Sequence, residues 1–312
     1  MPGNRIRLGI DLGGTKTELV ALDPEGRELL RRRVATPQGD YDATIEAIAA
    51  LVLDAERELH VVATVGIGTP GAISRATGRL RGCNSVWLNG RAMQADLEAV
   101  LARDVRIAND ANCFALSEAS DGAGQGAGIV FGVILGTGVG GGIVVDGRVL
   151  SGANAIAGEW GHNPLPWPRD DERPGPACFC GRTGCIETWL AGPALVRDHR
   201  RATGQALAAP DIASRAAAGD PACGASLARY EERLARALAH VINVLDPDVI
   251  VLGGGMSNVQ RLYENVPRLW ARTITSDFVD TRLVRNVHGD SGGVRGAAWL
   301  WGSDVAQSAR KR

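Results

Sequence analysis

A strand that runs into a glycine-rich turn and emerges as a second strand occurs twice in this chain, and that duplication limits the fold more than any other feature. The first copy is the apolar stretch Arg5-Ile-Arg-Leu-Gly-Ile10, then Asp11-Leu-Gly-Gly-Thr-Lys-Thr17, with a strand pattern resuming over residues 17–22. The second is an apolar run over residues 129–135, then Gly136-Thr-Gly-Val-Gly-Gly-Gly142, then a strand at 143–145 and a hairpin signal at Asp146-Gly147. Two such units, each followed by helices, predict two related α/β halves facing each other across an interdomain cleft. Ligands of α/β proteins favour such places.

Around the first copy, Asp23-Pro-Glu-Gly26 supplies turn chemistry and residues 27–35 alternate loosely, which makes an antiparallel three-strand meander. Ile45, Ile48, Ala49, Val52, Ala55 and Leu59 recur at helical spacing, so residues 42–60 form an amphipathic helix lying on that meander. A strand at 64–67 follows. Strand 105–108 leads into a helix over 111–119. The clearest helical stripe is Leu227, Tyr230, Leu234, Leu238, Val241, Ile242 and Leu245; Asp246-Pro-Asp248 ends it, a buried strand at 249–252 follows, and Gly253-Gly-Gly255 turns away.

Charge narrows the partners. With 34 Lys+Arg against 35 Asp+Glu, no broad basic face is available for nucleic acid or a membrane surface, and Arg31-Arg-Arg33, the one strong basic cluster, reads as a strand edge or turn. No segment approaches a membrane span and the amino end has no signal-like apolar run, which points to the cytoplasm.

Glycine-rich turns after strands are anion sites, because backbone N–H groups converge on phosphate oxygens only where side chains stay out of the way. Three are present. The first, with Asp11, Gly13, Gly14, Thr15, Lys16 and Thr17, adds hydroxyls, a lysine and a carboxylate placed to hold Mg²⁺ through water. A tight hairpin would account for one such loop alone, but two matched loops are harder to explain that way. Gly136-Thr-Gly-Val-Gly-Gly141 satisfies G-x-G-x-x-G, yet a strand and hairpin follow it where a dinucleotide fold requires a helix. A Walker A motif is absent.

Taken in order, "IDLGGTKT", "ILGTGVGGG", "GEWGH", "CFCGRTGCIE" and "DPDVIVLGGG" resemble the ROK family of sugar kinases, which share the actin/hexokinase-like (ribonuclease H-like) duplicated two-domain fold. "NSVWLNG", "GEWGHNPLPW" and "LDPDVIVLGGGMSN" look like its bacterial fructokinase, or manno(fructo)kinase, branch. The resemblance runs from about residue 5 to residue 301. It implies a small domain of residues 1–108 with a C-terminal helix at about 292–312, and a large domain of 109–291. The first two loops, including Gly136, Thr137 and Gly138, would grip the phosphates of ATP. Gly253, Gly254 and Gly255 would border the nucleoside, with adenine against the helix that follows. The branch implies D-fructose, phosphorylated at its 6-hydroxyl; glucose, mannose and N-acetylglucosamine are alternatives, since one or two hydroxyl partners decide among hexoses. A homodimer is implied as well. Some ROK proteins are repressors, but those carry a DNA-binding helix-turn-helix ahead of the sugar domain, and here the first strand begins near residue 5.

The acceptor hydroxyl must lose a proton, and an aspartate suits that task. Asn109-Asp-Ala-Asn112 follows a strand and opens a helix, so from its position Asp110 is either a helix cap or a base. The resemblance makes it the catalytic base. By motif it also carries Asn84, Asn109, Glu159, His162 and Glu187 to the sugar, where carboxylates and amides can bridge hydroxyls.

Cys178-x-Cys180-x₄-Cys185 places three thiols in one short loop of a chain with six cysteines. Pairing them as a disulfide would strand one. Structural zinc takes four N or S ligands, and His162, 16 residues before Cys178, completes a Cys₃His shell, with Gly181 and Gly184 allowing the bends. Such a zinc would be scaffold: with one imidazole nitrogen on the metal, the other can face the sugar. Cys83, Cys113 and Cys223 read as plain buried side chains. The segment "LPWPRDDERPGP" over residues 165–176 is too polar for core and reads as a loop at the cleft mouth or an interface.

Overall fold

The computed structural model describes residues 6–302. The carboxy tail from residue 303 lies outside the described residues, as does Arg5 of the expected first strand. The elements in chain order are β1 (Arg7–Leu12), β2 (Lys16–Leu22), β3 (Glu28–Ala35), α1 (Tyr41–Leu59), β4 (Thr64–Thr69), β5 (Ala72–Ile73), β6 (Leu80–Arg81), α2 (Met93–Leu101), β7 (Val105–Asn109) and α3 (Asp110–Asp121). They continue with β8 (Ile129–Leu135), β9 (Val139–Val145), β10 (Arg148–Val149), α4 (Glu187–Leu190), α5 (Gly192–Thr203), α6 (Ala209–Ala217), α7 (Pro221–Leu245), β11 (Val249–Gly253), α8 (Leu262–Trp270), β12 (Arg282–Arg285) and α9 (Gly292–Trp299).

Two five-stranded sheets have corresponding orders, β3-β2-β1-β4-β7 and β10-β9-β8-β11-β12, so the duplication expected from the glycine turns extends to whole sheets. In the first, β1, β2 and β3 form the antiparallel meander, while β4 and β7 join in parallel. In the second, β8, β11 and β12 are parallel. Asp146 and Gly147 both adopt positive φ, 49° and 71°, which is the backbone twist a two-residue hairpin needs.

The chain forms two compact units. The first comprises residues 6–128, 142–157 and 287–302, and the second residues 129–141 and 158–286. The sequence placed the first boundary after residue 108, but the chain leaves the first unit only after Gly128, so α3 stays with the first sheet. Close backbone packing explains this. A Cβ on Gly296 of α9 would fall 1.6 Å from the carbonyl oxygen of Cys113 on α3, and one on Gly9 or Gly66 would fall about 2 Å from α9 carbonyls (2.1 and 1.9 Å). Only glycine permits helix and sheet to approach so nearly.

The first unit's core joins β1, β2, β4 and α1 through Leu8, Ile10, Leu19, Ile48, Val52 and Ile67, all fully buried. α1 starts where Asp40 accepts a hydrogen bond from the Ala43 N–H and ends at His60 in the left-handed region, φ 53°. Asp246 ends α7 in the same manner, φ 49°. Arg31, Arg32 and Arg33 lie on β3, the outer strand of its sheet, where charge guards an edge. Among the described residues no helix is long and apolar enough to cross a membrane.

Candidate active site

The first glycine loop is a short turn between β1 and β2. Gly13 donates its N–H to the Lys16 carbonyl at 3.0 Å, and the Thr36 hydroxyl donates to the Gly13 carbonyl at 2.9 Å. Thr17 Oγ1 lies 2.8 Å from Thr36 Oγ1, and since the Thr36 hydrogen is already spent, Thr17 is the donor. Thr17 therefore faces inward at 1% exposure, and of the expected hydroxyl pair only Thr15 stays at the surface, with Gly14 and Lys16.

Asp11 is the penultimate residue of β1. Burial, then the charges of Asp110 and Glu18, push its carboxyl up to about 6. Its neighbour Asp110 is the first residue of α3, and the structure separates the two roles that the sequence left together. Asn109 is the cap: its Oδ1 accepts from the Asn112 N–H at 3.0 Å, while its Nδ2 donates to Asp110 Oδ1 at 2.9 Å. Asp110 Oδ1 also accepts from the Ala111 N–H at 2.8 Å. Solvent reaches this carboxylate, yet the protein crowded around it raises its pKa above the ordinary aspartate value. One oxygen is pinned and the other left available, a suitable form for a general base. Asn84 lies exposed in the same unit, one residue before Ser85, whose Oγ would be 3.3 Å from a Cβ on Gly14.

In the second unit, the loop Gly136-Thr-Gly138 is shorter than the sequence suggested, because β9 begins at Val139 and takes in Gly140, Gly141 and Gly142. A Cβ on Gly141 would be 2.8 Å from both the Gly158 carbonyl and the Trp160 ring, so this glycine serves packing. Trp160 is buried, donates its indole N–H to the Gly140 carbonyl at 3.0 Å and meets Phe131 edge to face. That anchor sets the 3₁₀ turn Trp160–His162, with Glu159 exposed before it. Glu187, at the head of α4, accepts from the Val139 N–H at 3.0 Å, and a Cβ on Gly138 would be 2.7 Å from its Oε2. It is tied to the second glycine loop, not a solvated charge.

The third loop abuts the second. Gly254, φ 75°, has room for no Cβ, since one would fall 2.5 Å from the Leu135 carbonyl. Beside them opens a cavity of about 1130 Å³ lined by Gly136, Thr137 and Gly255 on the loop side and by Pro193, Val196, Ala213, Met256 and Val259 elsewhere. Its largely apolar, small-residue walls suit a flat heterocycle. The sequence reading anticipated the loops and the helix after them but missed the wall made by α5 and α6, whose only local signal is Gly192-Pro193 and Ala209-Pro210 at helix starts.

His162, Cys178, Cys180 and Cys185 come together. Their ligand atoms all lie within 4.8 Å of one another, with His162 Nδ1 3.6 Å from Cys178 Sγ and Cys180 Sγ 3.6 Å from Cys185 Sγ. Tetrahedral zinc at about 2.3 Å from each sulfur requires S···S separations of about 3.8 Å, so the donor set fits. Gly181 and Gly184 adopt φ 86° and 69°, as the bends require. The strand-like segment carrying His162 pairs with the cysteine loop through Leu165 N–H to the Gly184 carbonyl, 2.9 Å, and Ile186 N–H to the Asn163 carbonyl, 2.8 Å. One knuckle thus fixes His162 and Glu187 together. Cys83, Cys113 and Cys223 are buried and unpaired by disulfide.

The segment 165–176 is less free than its composition suggested. Leu165 and Glu172 are buried, and Glu172 accepts from Arg233 Nε at 2.8 Å and from Arg236 Nη2 at 2.8 and 2.9 Å. A polar residue can be core once arginines pair with it.

Comparison with known proteins agrees with this layout. The model of the ROK family matches residues 7–304. An N-acetyl-D-glucosamine kinase of Photobacterium profundum is 41% identical over 296 residues, covering 94% of this chain and 98% of the relative. A ROK hexokinase of Thermus thermophilus is 33% identical with a TM-score of 0.84, covering 97% of this chain and 99% of that one. A ROK family glucokinase of Streptomyces griseus, solved with glucose and AMPPNP, is 28% identical with a TM-score of 0.73, covering 97% and 99%.

Proposed function

The chain belongs to the ROK family, and from that premise we propose that it phosphorylates N-acetyl-D-glucosamine with ATP. It is an ATP-dependent sugar kinase. The amino sugar is favoured over fructose because the similar relatives that span nearly the whole chain carry the name N-acetyl-D-glucosamine kinase; this was among the alternatives the sequence held open. The observation that carries the chemistry is Asp110, relieved of capping by Asn109 and held by one carboxylate oxygen.

In the reaction an exocyclic sugar hydroxyl attacks the γ-phosphorus, the bond from that phosphorus to the β,γ-bridging oxygen breaks, and ADP leaves. Asp110 takes the hydroxyl proton as the new P–O bond forms and later releases it to water. The loops at Gly13-Gly14 and Gly136-Thr-Gly138 offer N–H groups to the phosphates, and the apolar cavity takes the adenine. Asp11, crowded by Asp110 and Glu18, suits a water-mediated Mg²⁺, which when bound would neutralise phosphate charge. Asn84, Glu159, Glu187 and the His162 Nε2 left free by the thiol cluster hold the sugar. His162, Cys178, Cys180 and Cys185 would hold a structural zinc, which when bound would keep His162 and Glu187 in register without entering the transfer. We include a homodimer in this reading; the mass in solution tests it.

The test is an ADP-release assay with Mg²⁺ATP across N-acetylglucosamine, fructose, mannose and glucose, ranked by kcat/KM, with bound zinc measured on the same sample. N-acetylglucosamine should lead by about tenfold or more, with one zinc per chain. A lead for fructose would restore the branch reading, and full activity without metal would remove the zinc.

A further inference from the structure

A second, smaller cavity of about 340 Å³ opens in the second unit, and none of its lining residues is among those assigned to the reaction. Its charged lining is Arg173, Arg197 and Arg201 against Asp171 and Asp198. The two acids are not equivalent. Asp198 is buried and already committed, accepting from Arg229 Nε at 2.9 Å and Arg233 Nη1 at 3.0 Å, whereas Arg201 approaches it only to 4.0 Å. Arg173 has only a 3.6 Å ion pair with Asp170, whose side chain is fully in solvent. Arg197 spends one guanidinium N–H on the Thr188 carbonyl. The arginines therefore keep most of their donors, with Asp171 the one uncommitted carboxylate among them. Trp189, 7% exposed, contributes a further wall, and its indole N–H finds no acceptor among the described residues.

We propose that this cavity binds a small phosphate-bearing anion and reports its presence to the nucleotide cavity through α5. Guanidinium forks match phosphate oxygens in pairs, and a recess of this size lies at the low end of small-ligand sites. α5 is the shared wall. Gly192, Pro193 and Val196 border the larger cavity, while Ala194, Arg197, Asp198 and Arg201, spaced three and four apart, border the smaller. An anion that draws Arg197 and Arg201 inward shifts the helix whose first turn meets the nucleotide. This second half rests on the nucleotide reading given above.

The experiment is titration calorimetry of the full-length protein, its nucleotide site filled beforehand with magnesium and a non-hydrolysable ATP analogue. Inorganic phosphate is the ligand in one arm and glucose 6-phosphate in the other. Saturable one-site binding is expected in at least one arm, weakened about tenfold or more in Arg173→Glu and in Arg201→Glu. Both side chains are more than 60% exposed, at 62% and 63%, so folding should survive. Binding of phosphate alone names the free ion, and tighter binding of the sugar phosphate names a phosphomonoester. No saturable binding in either arm, or equal affinity in both variants, overturns the site. With the anion present the KM for ATP should change at least about twofold in the parent and in neither variant; an unchanged KM overturns the link through α5. Failure of the ATP analogue to bind at the outset would count against the nucleotide reading and leave the anion titration to be judged by itself.

Discussion

The two glycine loops begin from one plan and are braced by different chemistry. At Gly13-Gly14 the brace is a relay of neutral hydroxyls, Thr17 to Thr36 to the Gly13 carbonyl, next to the crowded pair Asp11 and Asp110. At Gly136-Thr-Gly138 the brace is a carboxylate, Glu187 on the Val139 N–H, and the loop's back rests on Gly254. A neutral brace adds no further charge to the acids already crowded there. A charged brace beside an apolar cavity ties the head of α4 to the loop before β9. Duplication thus supplied the backbone, and the side chains divided the labour.

The sharpest way to break that division is Asp110→Asn. It removes the base and keeps the amide shape, so kcat should fall about 10²–10⁴-fold while ATP and sugar binding, read by calorimetry, hold. A kcat within a few fold of the parent would remove Asp110 from the chemistry.

Next comes acidity. Asp11 and Asp110 must both be ionised to work, so kcat/KM should drop below about pH 6, roughly tenfold per unit at first and more steeply once the second acid is protonated as well. Stability moves the other way. The folded carboxyl of Asp11 lies above its unfolded value of 3.8, at about 6, so its contribution is full below 3.8 and is lost as pH rises through 6. Asp11→Asn should therefore raise the melting temperature above pH 6 and leave it unchanged near pH 4. Equal shifts at both values would deny the crowding.

On the other side of the comparison, Gly254→Ala forces a Cβ to 2.5 Å from the Leu135 carbonyl at φ 75°. Chemical denaturation should show a loss on the order of 2 kcal/mol, and KM for ATP should rise more than KM for sugar. The smallest effect belongs to Thr36→Val, which cuts the hydroxyl relay: about 1 kcal/mol, with a few-fold rise in KM for ATP. If Thr36→Val cost more than Gly254→Ala, the first loop would be the stiffer of the two.

Much of this was open to reading because it depends on local chain chemistry. The Asp146-Gly147 hairpin, the end of α7 at Asp246 and the Cys₃His spacing each require only neighbours in sequence, and each stands where the residues placed it. The fold followed from five motifs in order. What stayed hidden depends on distant partners. Nothing near Gly141 announces that Trp160 will pack on it, and nothing near Thr17 announces Thr36. Glu172 looks like a surface acid until Arg233 and Arg236 arrive from 61 and 64 residues away. The wall formed by α5 and α6 is small and apolar without a motif, so it becomes visible only as one side of a cavity.

The glycine seams at Gly9, Gly66 and Gly296 bear on the order in which the molecule can be made. β1 leaves the ribosome long before α9, yet their backbones touch. The first unit therefore waits through synthesis with a bare groove along β1 and β4, while the second unit, whose segments end at Asn286, has all its parts earlier. The half that starts first finishes last, and the nascent chain must keep that groove from other surfaces until α9 arrives to fill it.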